Sequence, residues 1–594
     1  MQTLKTIRLL AGRSLRALSR PLLSELPLVV TFILLNYPKD WQMLLAGQRG
    51  WRGVAPMLVG FVFAYVLALM CMAAGRRWVR AVCYAVGIGL FTTNLFLWFH
   101  FKQIIGPDVV QLLAETHGAE AGEFVRAYVL QPHFLLYVAI AVLLGVAVAV
   151  AEQRYRRLRA DWAQRPKVRL WGGGVALAAL LGGISYLDGY TTLFTARDTD
   201  DVCQAMGCTG YCHFDPISRT LYTVRVLHLA RRELRDAVRC CQRSRHQATL
   251  TAPADTLTVV LVVGESYIKR HAALYGYDLP TTPCMQRERK AGRLLAFTDV
   301  VSPYHITSHA MRHIFCLNSV GAGERWLDYP FFPILFRDAG YEVDYWDGQR
   351  DFGTTTPFTF AVNSFFYHRE LAPLAYTEMN AHGFRYDGEL VDDYCRHHPA
   401  TAVRRLVMVH LLGQHSMASE RFPHIPAFER FKPADVPNRQ RWMDESKRQE
   451  VADYDNATLY NDSVMSRLFT HFGHANAVLL YLSDHGEEVY DAHDNMGRRC
   501  DSADPASLRL QHEVPFVLWM SDVYRQRHPE VVARAQAALH RPYMTDNVGH
   551  LLLALAGIRT PYYIKERDLL SPAFCPQPRL LDGTDDYDQL CGAR

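Results

Sequence analysis

Long apolar runs recur through the first 190 residues and are absent from the rest of the chain. A stretch of about 18 or more apolar residues crosses the ~30 Å hydrocarbon layer of a bilayer at ~1.5 Å per helical residue. Five such spans are predicted, near Leu22–Tyr37, Ala55–Ala74, Val79–Phe99, His133–Ala151 and Leu170–Leu187. Glu25 and Pro27 shorten the first. A cleaved signal peptide is the alternative reading of that segment, but about twenty residues precede its apolar run and no small-residue cleavage site follows.

Charge orients the bundle. A formal charge of +5 says little as a sum, whereas its placement is informative. Lys5, Arg8, Arg13, Arg16 and Arg20 precede span one, Arg76, Arg77 and Arg80 join spans two and three, and "RYRRLRADWAQRPKVR" joins four and five. The connection from three to four has only Lys102 and Arg126 against Asp108, Glu115, Glu120 and Glu123. The positive-inside rule then makes the N-terminus cytoplasmic and puts everything after span five outside the inner membrane, in the periplasm of a two-membrane bacterium. The expected division is a membrane domain over 1–190, an amphipathic linker over 191–250 and a catalytic domain over 251–594.

Eleven of the thirteen cysteines fall in the exported part, where disulfides persist. Cys203, Cys208 and Cys212 could be metal ligands, but no fourth partner stands at metal spacing, so disulfides are favoured. The basic stretch "ARRELRDAVRCCQRSRH" reads as an amphipathic helix at the membrane surface. A nucleic-acid patch is the other meaning of such a run, and an extracytoplasmic location argues against it.

From Thr256 the pattern is α/β: short β-branched apolar runs alternate with helical stretches, as in a mostly parallel sheet buried on both faces. The runs are "LTVVLVVGE", "YEVDYWD", "RLVMVHLLG", "AVLLYLSDHGEE" and "VPFVLWM". Ligands of such sheets bind beyond the carboxyl ends of the strands. The residues there are Glu265, Asp347, His410, His415, Asp484 and His485. Carboxylates mixed with imidazoles suit zinc or manganese better than magnesium or calcium. Glu265 could instead be the acid at the N-terminus of a helix over "SYIKRHAALYG".

The strings "VVGES…LYGY…TTP", "VHLLGQH", "YDNATLYND" and "YLSDHGEEVYD" resemble the phosphoethanolamine transferases of Gram-negative inner membranes, within the alkaline phosphatase and sulfatase superfamily. Within that family the resemblance is nearest to those that modify lipopolysaccharide core heptose. It implies five transmembrane helices followed by a sulfatase-like periplasmic domain with a mostly parallel central sheet. It also implies zinc held by Glu265, Asp484, His485 and a threonine that is the nucleophile. Thr307 in "YHITSHAMRHIFCLNS" stands at that place, with the neighbouring Ser308 also chemically able. A threonine before a helix is also a common N-cap. His415 and His493 match positions that contact the phosphoryl group or a second zinc. Asp347 and Gln349, from their strand-end position, are candidates for the donor head-group pocket, and His410 reads as strand-end structure. Family members that modify lipid A often have two cysteines flanking the threonine; here only Cys316 is near.

The function this implies is transfer of phosphoethanolamine from phosphatidylethanolamine to an envelope glycan through a phospho-threonine. Lipopolysaccharide core heptose is the favoured acceptor, with lipid A or periplasmic glucan as others. The alternatives are a phosphoglycerol transferase of the lipoteichoic acid synthase type and a sulfatase-like or phosphodiesterase-like hydrolase. A formylglycine sulfatase needs a C/S-x-P-x-R signature, and "ITSHAMR" lacks the proline.

Overall fold

The computed structural model describes residues 2–36, 55–101, 105, 130, 132, 134–184, 188–199, 202, 216–251, 256–350, 366–367, 370–400, 404–415, 417–498 and 504–592. Cys203, Cys208, Cys212, Cys500 and the side chain of Ser308 lie outside the described residues. The nine described cysteines are free thiols, Cys240, Cys241 and Cys316 among them. The chain divides into two compact units, Met1–Arg231 and Arg232–Arg594.

The first unit is helical: α1 (Gln2–Ser24), α2 (Leu26–Asn36), α3 (Ala55–Ala74), α4 (Arg77–Phe101), α5 (Phe134–Trp162) and α6 (Pro166–Ile184). Among the described residues, four helices, α3 to α6, are long and apolar enough to cross a membrane. A fifth span exists only if Ala11–Ser24 and α2, bent by 67° to each other, are counted as one. The expected five spans are therefore four, or five with the bent pair counted as the first. Glu25 stands at the bend and is 3% exposed. It pairs with Arg80 at 3.3 Å and Arg156 at 3.6 Å, and these arginines also reach Glu152 at 3.4 and 2.7 Å. A buried carboxylate in an apolar bundle persists only when paired, so this network holds the break that the sequence marks with Glu25. Helix α7 (Pro216–Arg243) carries the basic stretch, and the boundary between the units falls within it.

The second unit is built on a seven-stranded sheet: β1 (Thr258–Gly264), β2 (Leu294–Ala296), β3 (Glu342–Asp347), β4 (Glu378–Met379), β5 (Arg405–His410), β6 (Ala477–Ser483) and β7 (Phe516–Met520). Their spatial order is β2-β7-β6-β1-β5-β3-β4. The sheet is mixed, not mostly parallel: β6, β1, β5, β3 and β4 pair in parallel, whereas β7 runs antiparallel to both β6 and β2. A strand buried on both faces is apolar throughout whichever way it runs, so "VPFVLWM" carries no directional signal.

The alternation of side chains sends Val259, Leu261 and Val263 of β1 to one face and Val260 and Val262 to the other. The first set packs with Leu406, Met408, Leu480 and the helix Phe332–Asp338. The second packs with Val407, Val409, Leu479 and α9 (Glu445–Phe472), whose N-terminus is capped by Asp444 accepting from the Lys447 amide at 2.9 Å. α8 is the short helix Thr307–Phe315. With both faces covered, polar groups can gather only where the strands end.

Candidate active site

Register assembles the site. Gly264 of β1 lies opposite Ser483 of β6, Val263 lies opposite His410 of β5, and His410 lies opposite Asp347 of β3. Glu265 and the Asp484–His485 pair therefore leave adjacent parallel strands at the same level. All three are fully buried, and their ligand atoms lie within 4.8 Å of one another. No α-helix follows Glu265; the chain makes two short 3₁₀ turns, Lys269–His271 and Ala273–Tyr275, so the reading of Glu265 as a helix N-terminal acid does not hold.

Each group is oriented by its surroundings. Asp484 Oδ1 accepts from the Ser266 amide at 3.1 Å and the His485 amide at 2.7 Å. Ser266 adopts a left-handed conformation, φ 56°. Oδ2 of Asp484 is buried and has no hydrogen-bond partner. His485 donates from Nδ1 to the Gly486 carbonyl at 2.8 Å, which turns Nε2 toward Asp484 Oδ2 at 3.3 Å and Glu265 Oε1 at 3.4 Å. Arg498 donates to the same Nε2 at 3.0 Å.

Thr307 is the first residue of α8. It does not cap that helix, which has no side-chain cap bond. Its hydroxyl lies 3.1 Å from Glu265 Oε2 and 3.2 Å from His485 Nε2. All four expected ligands thus converge at one helix N-terminus, where backbone N–H groups favour an anion.

Burial raises the Asp484 carboxyl well above the carboxylate range, and the adjacent Glu265 charge adds to this. Burial also acts on Glu265, but the hydrogen bonds it accepts from Ser266 and Gln349 favour its ionised form and its carboxyl is held low. Burial pushes His485 down to about 3, which leaves its imidazole neutral. Two like carboxylates at contact distance repel when both are ionised, and a cation between them relieves that repulsion. The partnerless Oδ2, the inward Nε2 and the Glu265 carboxylate fit a divalent cation with mixed N and O donors.

The loop after β5 closes the site from one side. Leu411 donates to Val263 O at 2.9 Å and Gln414 to Glu265 O at 3.0 Å, while buried Asp387 accepts from the Leu412 and Gly413 amides at 2.7 and 2.9 Å. Gly413 has φ 51°, and a Cβ there would lie 2.7 Å from both N and O of Glu265. Gly413→Ala is therefore expected to destabilise the unit by about 2–4 kcal/mol, from strain plus a clash that only backbone movement relieves. Thermal or urea melting of the purified variant checks this, and an unchanged midpoint would contradict the close approach.

His415 follows in this loop. Burial holds its imidazole below the usual value; the Glu265 charge opposes this, and Arg498 and Arg421 reinforce it. His493 is placed differently: its described contacts are Glu488 at 3.3 Å, Asp504 at 3.3 Å and Ser507 at 3.4 Å. Asp347 is 1% exposed, and its carboxylate serves Tyr345, Tyr367, His410 and the Gln349 amide. Gln349 reaches Glu265 at 2.9 Å.

Three groups at the site escaped sequence reasoning. Arg498 sits in a loop thirteen residues beyond His485, where no periodicity marks it. Glu487, whose carboxyl burial pushes up to about 7 against the pull of Arg498, was present in "SDHGEE" and not singled out. Asp387 opens a helix far along the chain and meets the site only in three dimensions.

Residues 257–558 match the family model described as Sulfatase, a span of just over half the chain. The chain belongs to the sulfatase family. Over nearly its whole length this sulfatase-family chain is similar to phosphoethanolamine transferase EptC of Escherichia coli (strain K12), 24% identical over 569 residues that cover 92% of each protein. It is equally similar to phosphoethanolamine transferase CptA of Salmonella typhimurium (strain LT2), 24% identical over 569 residues with the same coverage. Among solved structures it resembles the C-terminal periplasmic domain of E. coli EptC in complex with Zn, with a TM-score of 0.50 and 26% identity over 58% of this chain and 95% of that one. The resemblance to phosphoethanolamine transferases that the sequence motifs carry is thus matched along 92% of the chain.

Proposed function

We propose that this chain is a zinc-dependent phosphoethanolamine transferase of a Gram-negative inner membrane, with its catalytic unit in the periplasm. Its donor would be phosphatidylethanolamine and its favoured acceptor the lipopolysaccharide core heptose. The observation that carries this is the Thr307 hydroxyl, set at a helix N-terminus 3.1 Å from Glu265 and 3.2 Å from His485, beside the partnerless Asp484 Oδ2. The near-full-length likeness to two proteins named phosphoethanolamine transferases supports it.

Glu265, Asp484, His485 and Thr307 would hold the zinc. When bound, that ion supplies a lowered hydroxyl pKa and positive charge against a phosphoryl group. The chain does the rest. Thr307 Oγ1 attacks the donor phosphorus, forming a Thr–O–P bond as the bond to the diacylglycerol oxygen breaks, and α8 directs amide N–H groups at the phosphoryl oxygens. His415 would take the Thr307 hydroxyl proton as Oγ1 attacks and pass it to the departing diacylglycerol oxygen, then take the acceptor hydroxyl's proton and return it to Thr307 Oγ1 as the Thr–O–P bond breaks. His493, beside Glu488 and Asp504, serves the entering or leaving hydroxyl. A covalent relay lets two bulky substrates use the site in turn.

The test is to incubate the purified full chain with phosphatidylethanolamine and no acceptor, digest it, and analyse the Thr307 peptide by mass spectrometry. Diacylglycerol release together with a phosphoethanolamine adduct on Thr307 is expected. Labelling by phosphatidylglycerol alone would replace the donor and make the chain a phosphoglycerol transferase, and an adduct on Ser308 would move the nucleophile by one residue.

A further inference from the structure

Asp347, His410 and Gln349 form one hydrogen-bonded chain that ends on Glu265. Asp347 and His410, 1% and 0% exposed, leave neighbouring parallel strands side by side. The Asp347 carboxylate is surrounded by donors: the Tyr345 and Tyr367 hydroxyls, the Gln349 amide at 2.7 Å and His410 Nδ1 at 3.1 Å. An ionised carboxylate accepts only, so Nδ1 of His410 must donate, and in the neutral ring Nε2 is left as an acceptor. That acceptor lies 3.2 Å from the Gln349 side-chain nitrogen. The same nitrogen lies 3.1 Å from the Leu411 carbonyl and 2.9 Å from Glu265 Oε2. The Glu265 carboxylate and the Leu411 carbonyl, both acceptors, decide the amide's orientation, and a neutral His410 adds a third: the NH₂ faces Glu265 and the carbonyl oxygen is turned away.

From this geometry we infer that Asp347, His410 and Gln349 are positioning residues for the Glu265 carboxylate, and that they are not the lining of a head-group pocket. Asp347 sets the His410 tautomer, the tautomer sets the Gln349 amide, and the amide fixes one oxygen of Glu265. The other oxygen, Oε1, accepts from the Ser266 hydroxyl at 2.7 Å. The carboxylate is therefore held from two sides in the plane that places it against His485 and Thr307. Outer partners of this kind govern how tightly a metal ligand set closes. The inference rests on the proposal that Glu265 is a zinc ligand.

The test measures zinc dissociation constants of the purified full chain by competition with a chromophoric chelator, together with the melting temperature of the zinc-free protein. Gln349→Met keeps the length and removes the donors, and it is expected to weaken zinc binding by about 10–100-fold. Asp347→Asn keeps the shape and no longer enforces the tautomer, and a loss of similar size is expected. Because Asp347 acts through Gln349, the double variant should bind no more weakly than Gln349→Met alone. Losses that multiply would overturn the relay. A lowered zinc-free melting temperature with an unchanged dissociation constant would make these packing residues and overturn the inference while leaving the metal site standing. If the wild-type chain holds no zinc, the ligand assignment fails and the inference fails with it.

Discussion

Thr307→Val is expected to lower turnover by about 10⁴-fold or more, equivalent to some 5 kcal/mol of transition-state stabilisation, with little change in stability. Valine keeps the volume and branching of threonine and deletes only Oγ1. That oxygen makes its contacts with Glu265 and His485, and α8 has no side-chain cap bond to lose. Thr307→Ser retains the oxygen and should retain measurable activity. Initial rates on a phosphatidylethanolamine donor, with melting temperatures as the control for folding, check both. A Thr307→Val protein that still turns over at wild-type rate would move the nucleophile elsewhere.

Asp484→Asn and Glu265→Ala are each expected to weaken zinc binding by about 10²-fold or more, since a four-ligand site of roughly 10–16 kcal/mol loses one donor and one negative charge. Asp484→Asn is the sharper variant. Two backbone amides already fix the identity of Oδ1 as an acceptor, so the new NH₂ must point along the direction of Oδ2, toward the cation. The raised Asp484 carboxyl gives the pH dependence its sign. Burial and the Glu265 charge hold that carboxyl well above its usual range, so zinc must expel the proton, and affinity falls as pH falls. Calorimetric titration in buffers of different ionisation enthalpy should show proton release on binding by the wild-type chain and less release in Asp484→Asn. Unchanged zinc dissociation constants in both variants would refute the ligand set.

Much of the candidate site was legible because it lies at the ends of strong apolar runs. All five runs became strands, and Glu265, Asp484 and His485 were read from their place just past β1 and β6. The edge strands β2 and β4, of three and two residues, are too short to carry an alternation. His410 was read as strand-end structure, and its link to Glu265 depends on Gln349, a residue on another strand's exit whose amide carries no pattern.

The sequence by itself determined the membrane-length helices at the N-terminus, the α/β unit that follows, and which residues end each strand. These follow from short-range causes: the count of consecutive apolar residues, the charges between them, and the polar group that stops each run. Only the tertiary structure decided that β7 runs against β6, that Glu25 breaks the first span around a four-residue charge network, and that Gly413 lies against the Glu265 backbone. It alone decided, too, that Asp347 faces His410 and not solvent. Strand direction, register and burial arise from contacts between segments tens to hundreds of residues apart. Each segment's own composition is the same whichever neighbour it meets, so that choice is made only when the two faces of the sheet are covered together.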